Sequence, residues 1–241
     1  MLDLGHYFDA YFAVLRRVDH ATIRRLAQIV FGAWQRRSTV FLCGNDGNSA
    51  NAAHIATDLM KLTAPPSGPR LRALALGESL SGLSAVANDI AYEQVFAEQL
   101  RAFLSPNDVV IGLSTSGSSP NVLRAVEYAT EVGAITAGIT GLGGHKLESR
   151  VQCPLVVASK SVQQIEDATM LVGHLVCLVV RDLVLAAAAA DGREVSADYR
   201  LPARPLPVIL PVTVTPSSPP GQPSDEQGSV PTWNQAPVAG A

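Results

Sequence analysis

The sequence predicts an α/β fold in which a parallel sheet is covered on both faces by helices, and three observations predict it. Short apolar runs of strand type alternate along the chain with longer segments of helical periodicity, which is the pattern of βαβ units. Two strand-to-helix passages run through polar loops, Gly44 to Ser49 and Ser114 to Asn121. Pro120 stands where the second loop must turn into a helix, and proline is at ease only in a first helical turn.

From the start, Leu4 to Arg37 has helical periodicity, with Tyr7, Tyr11, Val14, Leu15 and Val18 and then Ile23, Leu26, Ile29, Val30 and Trp34 as its apolar positions. So wide a stripe suggests a partner surface as well as an intrachain one. Thr39 to Cys43 is a buried-type strand, Gly44-Asn45-Asp46-Gly47-Asn48-Ser49 a tight turn, and Ala50 to Lys61 a helix. Ala64 to Pro69 breaks the chain before a strand at Leu71 to Leu76. A short helix over Leu80 to Ala87 and an amphipathic segment over Tyr92 to Phe103 follow.

The central strand begins at Val109 and leads through Ser114-Thr115-Ser116-Gly117-Ser118-Ser119 to a helix over Asn121 to Val132, with Ser119 as N-cap and Pro120 first inside. Further strands are read at Ile135 to Ile139 and Pro154 to Ala158. Ser161-Val162-Gln163-Gln164 has capping-box spacing and opens a long helix reaching about Ala189. Residues 1–198 therefore read as one domain. From residue 199 to 241 the chain carries ten of its sixteen prolines, and a mostly disordered tail is expected, with Leu206 to Val214 able to dock as an extended edge segment.

Composition excludes several classes. A formal net charge of -3 without a long basic run argues against non-specific nucleic-acid binding, and no nucleic-acid partner is expected. Cys43, Cys153 and Cys177 are too far apart for a metal motif or a disulfide framework, and with no secretory signal in view a cytoplasmic protein with buried thiols is expected. Met170 to Ala190 is the one membrane-like stretch, but His174, Arg181 and Asp182 make a core or interface helix the expectation and no membrane span. Gly141-Leu142-Gly143-Gly144 lacks dinucleotide-loop spacing, and no phosphate loop of the Gly-Lys-Ser/Thr type is present.

Two places carry candidate chemistry. The free N–H groups at the helix start after Ser119, with the helix dipole behind them and hydroxyls around them, suit a phosphate. An ordinary capped polar loop would look similar, but its position after a buried-type strand favours a ligand. His54 and Asp58 share one helix face, and Glu166 and His174 lie on the last helix about 80° apart around the axis. Two imidazoles and two carboxylates suit zinc or another divalent ion, while each pair alone also fits a surface helix pair or a locally satisfied core histidine.

Gly44-Asn45 through His54, Asn88-Asp89 with Tyr92-Glu93, Ser114 to Asn121, and Gln164 through Glu166 to His174 together resemble the sugar isomerase (SIS) domain family, most of all its phosphoheptose isomerases. The likeness spans roughly Leu4 to Ala190 in order and spacing. It implies a Rossmann-like three-layer sandwich with a five-stranded parallel sheet, assembled as a homotetramer through the first and last helices with sites shared between subunits. It implies Ser114, Thr115, Ser116 and Ser119 on a sugar phosphate and Asn45 and Asp89 on the sugar. His54, Asp58, Glu166 and His174 would be the ligands of a zinc ion, and Asp58 and His174 the acid–base pair. The implied reaction is ketose to aldose through an enediol, from sedoheptulose 7-phosphate to glycero-manno-heptose 7-phosphate. The alternative implied by resemblance is a non-catalytic regulator that binds a phosphosugar or a partner protein such as a replication initiator.

The chain departs from the family pattern at four places. Gly44-Asn45-Asp46-Gly47-Asn48 replaces a usual Gly-Asn-Gly-Gly-Ser, Asp58 a usual glutamate, Glu166 a usual glutamine, and Thr169 a common second histidine.

Overall fold

Alternate residues of the strand Thr39–Gly44 enter two different cores, one on each face of the sheet, and this makes three layers. Val40 and Leu42 join one apolar cluster with Leu26, Val30, Leu59 and Val176, while Phe41 and Cys43 join another with Phe96, Leu100, Val122 and Leu147. The computed structural model describes residues 2–65 and 67–192. The expected tail from residue 199 onward, with its Leu206 to Val214 segment, lies outside the described residues.

The strands are β1 (Thr39–Gly44), β2 (Arg72–Ala75), β3 (Val109–Ser114), β4 (Ile135–Gly141) and β5 (Cys153–Val157). They form a single parallel sheet in the order β2-β1-β3-β4-β5. The five-stranded parallel expectation holds. Helices α1 (Leu4–Leu15), α2 (His20–Arg36), α3 (Gly47–Lys61), α4 (Leu80–Asp89), α5 (Val95–Phe103), α6 (Pro120–Val132), α7 (His145–Glu148) and α8 (Val162–Ala190) complete the element order, with a 3-10 turn at Tyr92–Gln94.

Local chemistry explains where expectation and structure part. The first helical stretch is two helices, because the Asp19 carboxylate accepts hydrogen bonds from the backbone N–H groups of Ala21 and Thr22 at 3.0 and 3.2 Å and starts α2 afresh. Ser161 does stand at the N-cap of α8, yet no capping box forms. Ser161 Oγ donates to Gln163 Oε1 at 3.2 Å, and the Gln164 side chain instead accepts from Ser159 Oγ at 2.7 Å. Helix α3 begins at Gly47, three residues before the apolar periodicity does.

Among the described residues, α8 is the one helix long and apolar enough to cross a membrane. Its Ile165, Val172, Val176, Val180 and Val184 are buried in the first core, against α2 and α3, as a core helix requires. All three cysteines are buried free thiols, and burial pushes Cys43 and Cys177 up to about 12.

Asp108 ties the amino-terminal edge of the sheet together. It is 5% exposed, and its carboxylate accepts from the Thr39 N–H at 2.7 Å and the Ser105 N–H at 2.8 Å. Asp108→Ala strands both donors, at about 1–3 kcal/mol for each buried group. A drop of about 2–4 kcal/mol in the urea-derived unfolding free energy, with the ligand affinity of the opposite edge unchanged, is the expected result.

Candidate functional site

β1 and β3 are neighbours, but the chain leaves β1 towards β2 on one side and β3 towards β4 on the other. At such a reversal the loops beyond the strand ends part and leave a crevice. A cavity of about 360 Å³ sits there, lined by Asn45, Asp46, Asn48, Ser114, Thr115, Ser119, Val162 and Glu166. The lining residues belong to the starts of α3, α6 and α8, so three helix N-termini open on one space. Each adds partial positive charge and unpaired N–H groups, which makes the cavity an anion site.

The hydroxyl loop is built for that role. Ser119 is the N-cap of α6 but makes no capping bond with its side chain; its Oγ lies 2.9 Å from Ser114 Oγ. Ser116 Oγ accepts from Ser118 N at 3.2 Å, and Gly117, at φ 61°, closes the turn onto the Ser114 carbonyl at 3.0 Å. Ser116 lines an adjoining hollow with Thr115, Leu142 and Lys160. Lys160 is the cation nearest the loop in either lining, and nothing in its sequence context marks it.

The two loops are clamped together. Asn45 Nδ2 donates to Asn121 Oδ1 at 3.0 Å while Asn121 Nδ2 donates to Asn45 Oδ1 at 2.8 Å, and the Tyr92 hydroxyl also donates to Asn45 Oδ1 at 3.0 Å. Asn121 is 1% exposed, so this amide pair fixes the relative position of the starts of α3 and α6. Sequence reasoning assigned no role to Tyr92 or Asn121, although both stand in motifs it singled out.

Gly47 allows the next approach, since a Cβ there would overlap the Glu166 carboxylate. Burial, then the charges of Asp46 and Asp167, push the Glu166 carboxyl up from its usual 4.5. An acid raised by folding is worse off ionised in the folded chain than in the unfolded one. Its penalty is absent below the unfolded value, grows as pH rises towards the folded value and is complete above it. Glu166→Gln is therefore expected to raise the melting temperature relative to wild type at pH 7.5 and to leave it unchanged at pH 4, as scanning calorimetry at both values would read.

Further along the seam between α3 and α8, His54, Asp58 and His174 meet, their ligand atoms all within 4.8 Å of one another. His54 Nε2 lies 3.1 Å from His174 Nε2, and Asp58 Oδ2 lies 3.4 and 3.6 Å from these two nitrogens. A tetrahedral zinc with bonds of about 2.0–2.1 Å has ligand-to-ligand edges of about 3.3 Å, so the trio has the dimensions of three tetrahedral corners. Three ligands and a fourth open corner are the form of a catalytic zinc site.

Of the four expected ligands, His54, Asp58 and His174 meet within one chain. Glu166, the fourth, stands about two turns earlier on the same helix and lines the cavity. Asp89 also departs from expectation. It is exposed at the end of α4, held by Asn88 Nδ2 at 2.7 Å, and is not among the residues of the cavity wall. Thr169 is buried and donates to the Ile165 carbonyl at 2.8 Å, so it offers nothing to the site. Asn45, Ser114, Thr115 and Ser119 line the cavity together, with Ser116 beside it.

Comparison with known proteins places the chain in a family. The family model described as SIS domain matches residues 6–141. The phosphoheptose isomerase of Desulfovibrio desulfuricans is 37% identical over 155 residues, 64% of this chain and 73% of that protein. That of Rhodospirillum rubrum is 38% identical over 164 residues, 66% of this chain and 85% of that protein. Among solved structures, phosphoheptose isomerase GmhA from Neisseria gonorrhoeae is similar with a TM-score of 0.68 at 26% identity, covering 76% of this chain and 97% of that one. A phosphoheptose isomerase from Francisella tularensis gives 0.69 at 25% identity, covering 74% and 96%.

Proposed function

Because the chain belongs to the SIS domain family, we propose that it is an aldose–ketose isomerase of the phosphoheptose isomerase type, acting on sedoheptulose 7-phosphate. One observation carries the reading. An anion cavity at three helix N-termini and a trio of nitrogen and carboxylate ligands are built on the same two helices, α3 and α8.

In this reading Ser114, Thr115, Ser116 and Ser119 donate to the phosphate, and Asn45 orients the carbon chain. Asp58 takes a proton from C1 of the ketose, the C1–H electrons form the enediol, and a proton returned to C2 gives the aldose. His174 moves the proton exchanged between the two oxygens. His54, Asp58 and His174 fit a zinc ion, which when bound would polarise the carbonyl and favour the enediol.

The protein works in the cytoplasm as a homotetramer. Leu4, Phe8 and Phe12 on α1 are 64%, 55% and 52% exposed, and Leu171 and Leu175 on α8 flank His174 at 37% each. A second copy covering that apolar surface would remove it from water and close over the trio.

The test is aldose formation from sedoheptulose 7-phosphate, with and without zinc, on material whose mass in solution is measured. Turnover by a tetramer supports the proposal. A folded tetramer that turns over nothing in either condition would overturn it.

A further inference from the structure

We propose that Asp46 is a specificity-determining residue whose carboxylate accepts hydrogen bonds from the hydroxyls of a phosphosugar's carbon chain, so that the cavity selects a polyhydroxylated phosphate over phosphate alone. The inference rests on the phosphosugar reading of the cavity and adds a residue to it.

The chain supplies its own comparison. Asp3 and Asp19 are the N-caps of α1 and α2, sit at φ -84° and -73°, and turn their carboxylates onto the helix. Asp3 accepts from His6 N at 3.1 Å, and Asp19 from Ala21 N and Thr22 N. Asp46 holds the same position at α3 with φ 49° and ψ -124°, and its side chain makes no capping bond. The left-handed backbone turns this carboxylate away from the helix, and it lines the cavity. Glycine adopts such a backbone freely, whereas an L-residue is strained in it.

Asp46 thus forgoes both a cap and a relaxed backbone. What it gains is a place on the cavity wall beside Glu166, on which its charge acts. A carboxylate oxygen accepts hydrogen bonds from hydroxyls, and negative charge there disfavours a phosphate. In the same lining Ser114, Thr115 and Ser119 offer hydroxyl donors. The cavity therefore has donors suited to phosphate oxygens and acceptors suited to hydroxyl hydrogens. A sugar phosphate can use both, whereas inorganic phosphate has no carbon-chain hydroxyls for the acceptors.

Calorimetric titration of the full chain and of its Asp46→Asn and Asp46→Gly variants, with inorganic phosphate and separately with sedoheptulose 7-phosphate, tests this. Both variants should bind the phosphosugar about tenfold more weakly, the size of a lost hydrogen bond to a charged acceptor. Both should bind inorganic phosphate as well as wild type or a few-fold better. Asp46→Gly should also melt at a higher temperature than wild type, which establishes that its weaker binding is not a loss of fold. Unchanged preference for phosphosugar over phosphate in both variants would overturn the inference, as would a wild type that shows no such preference. Absence of turnover with the binding contrast intact would count against the isomerase reading alone.

Discussion

His174→Ala is expected to lower kcat for ketose–aldose interconversion by about 10³-fold, within the 10²–10⁴-fold range of general acid–base catalysis. His174 Nε2 stands 3.1 Å from His54 Nε2 and 3.6 Å from Asp58 Oδ2, so its removal takes one corner from the trio. In the proposed zinc site, a ligand set reduced to His54 and Asp58 should also release the ion, read by metal analysis after dialysis. The side chain is 44% exposed and fills no core space, so the melting temperature should stay within about 2 °C of wild type. KM should change little, because the phosphate end of the substrate is held by the loop before α6 and not by His174. A variant that keeps its zinc and its kcat would remove the trio from the mechanism.

Gly117→Ala should be strongly damaging for a single added methyl group. At φ 61° the backbone is left-handed, and an added Cβ would overlap the backbone of Gly144, which cannot rotate away as a side chain could. The Gly117 carbonyl also accepts from Leu147 N at 3.0 Å, so displacement of the loop pulls on α7. Strain and overpacking together should cost about 2–5 kcal/mol, and phosphosugar affinity should fall beyond detection because Ser116 and Ser119 move with the loop. Gly133→Ala is the control. It has φ 86° but nothing within 4 Å of the added atom, and it should cost only about 1 kcal/mol. Equal denaturation midpoints for the two variants would contradict the argument.

The parallel sheet and its order of elements were legible because strands buried on both faces read as continuous apolar runs, as Val109 to Leu113 does. The hydroxyl loop was legible because a proline after a serine-rich stretch marks a helix start. Other features depended on contacts that no local pattern carries. Asp19 could be recognised as a cap only by giving its polarity more weight than the apolar stripe running past it. The side chain of Gln164 was claimed by Ser159, five residues away, so correct spacing gave no capping box. The place of Glu166 was set by the bare Cα of Gly47, and that of Tyr92 by the side-chain amide oxygen of Asn45, 47 residues distant. Lys160 lies in a loop, where no periodicity gives a direction.

The convergence of three helix starts on one cavity has a kinetic corollary. In an aldose–ketose interconversion the phosphate is a bystander, chemically the same in reactant, enediol and product. A field fixed by backbone dipoles grips all of these equally, which is uniform binding and accelerates nothing. Inorganic phosphate should therefore inhibit competitively with one inhibition constant, whether the reaction is run from ketose or from aldose.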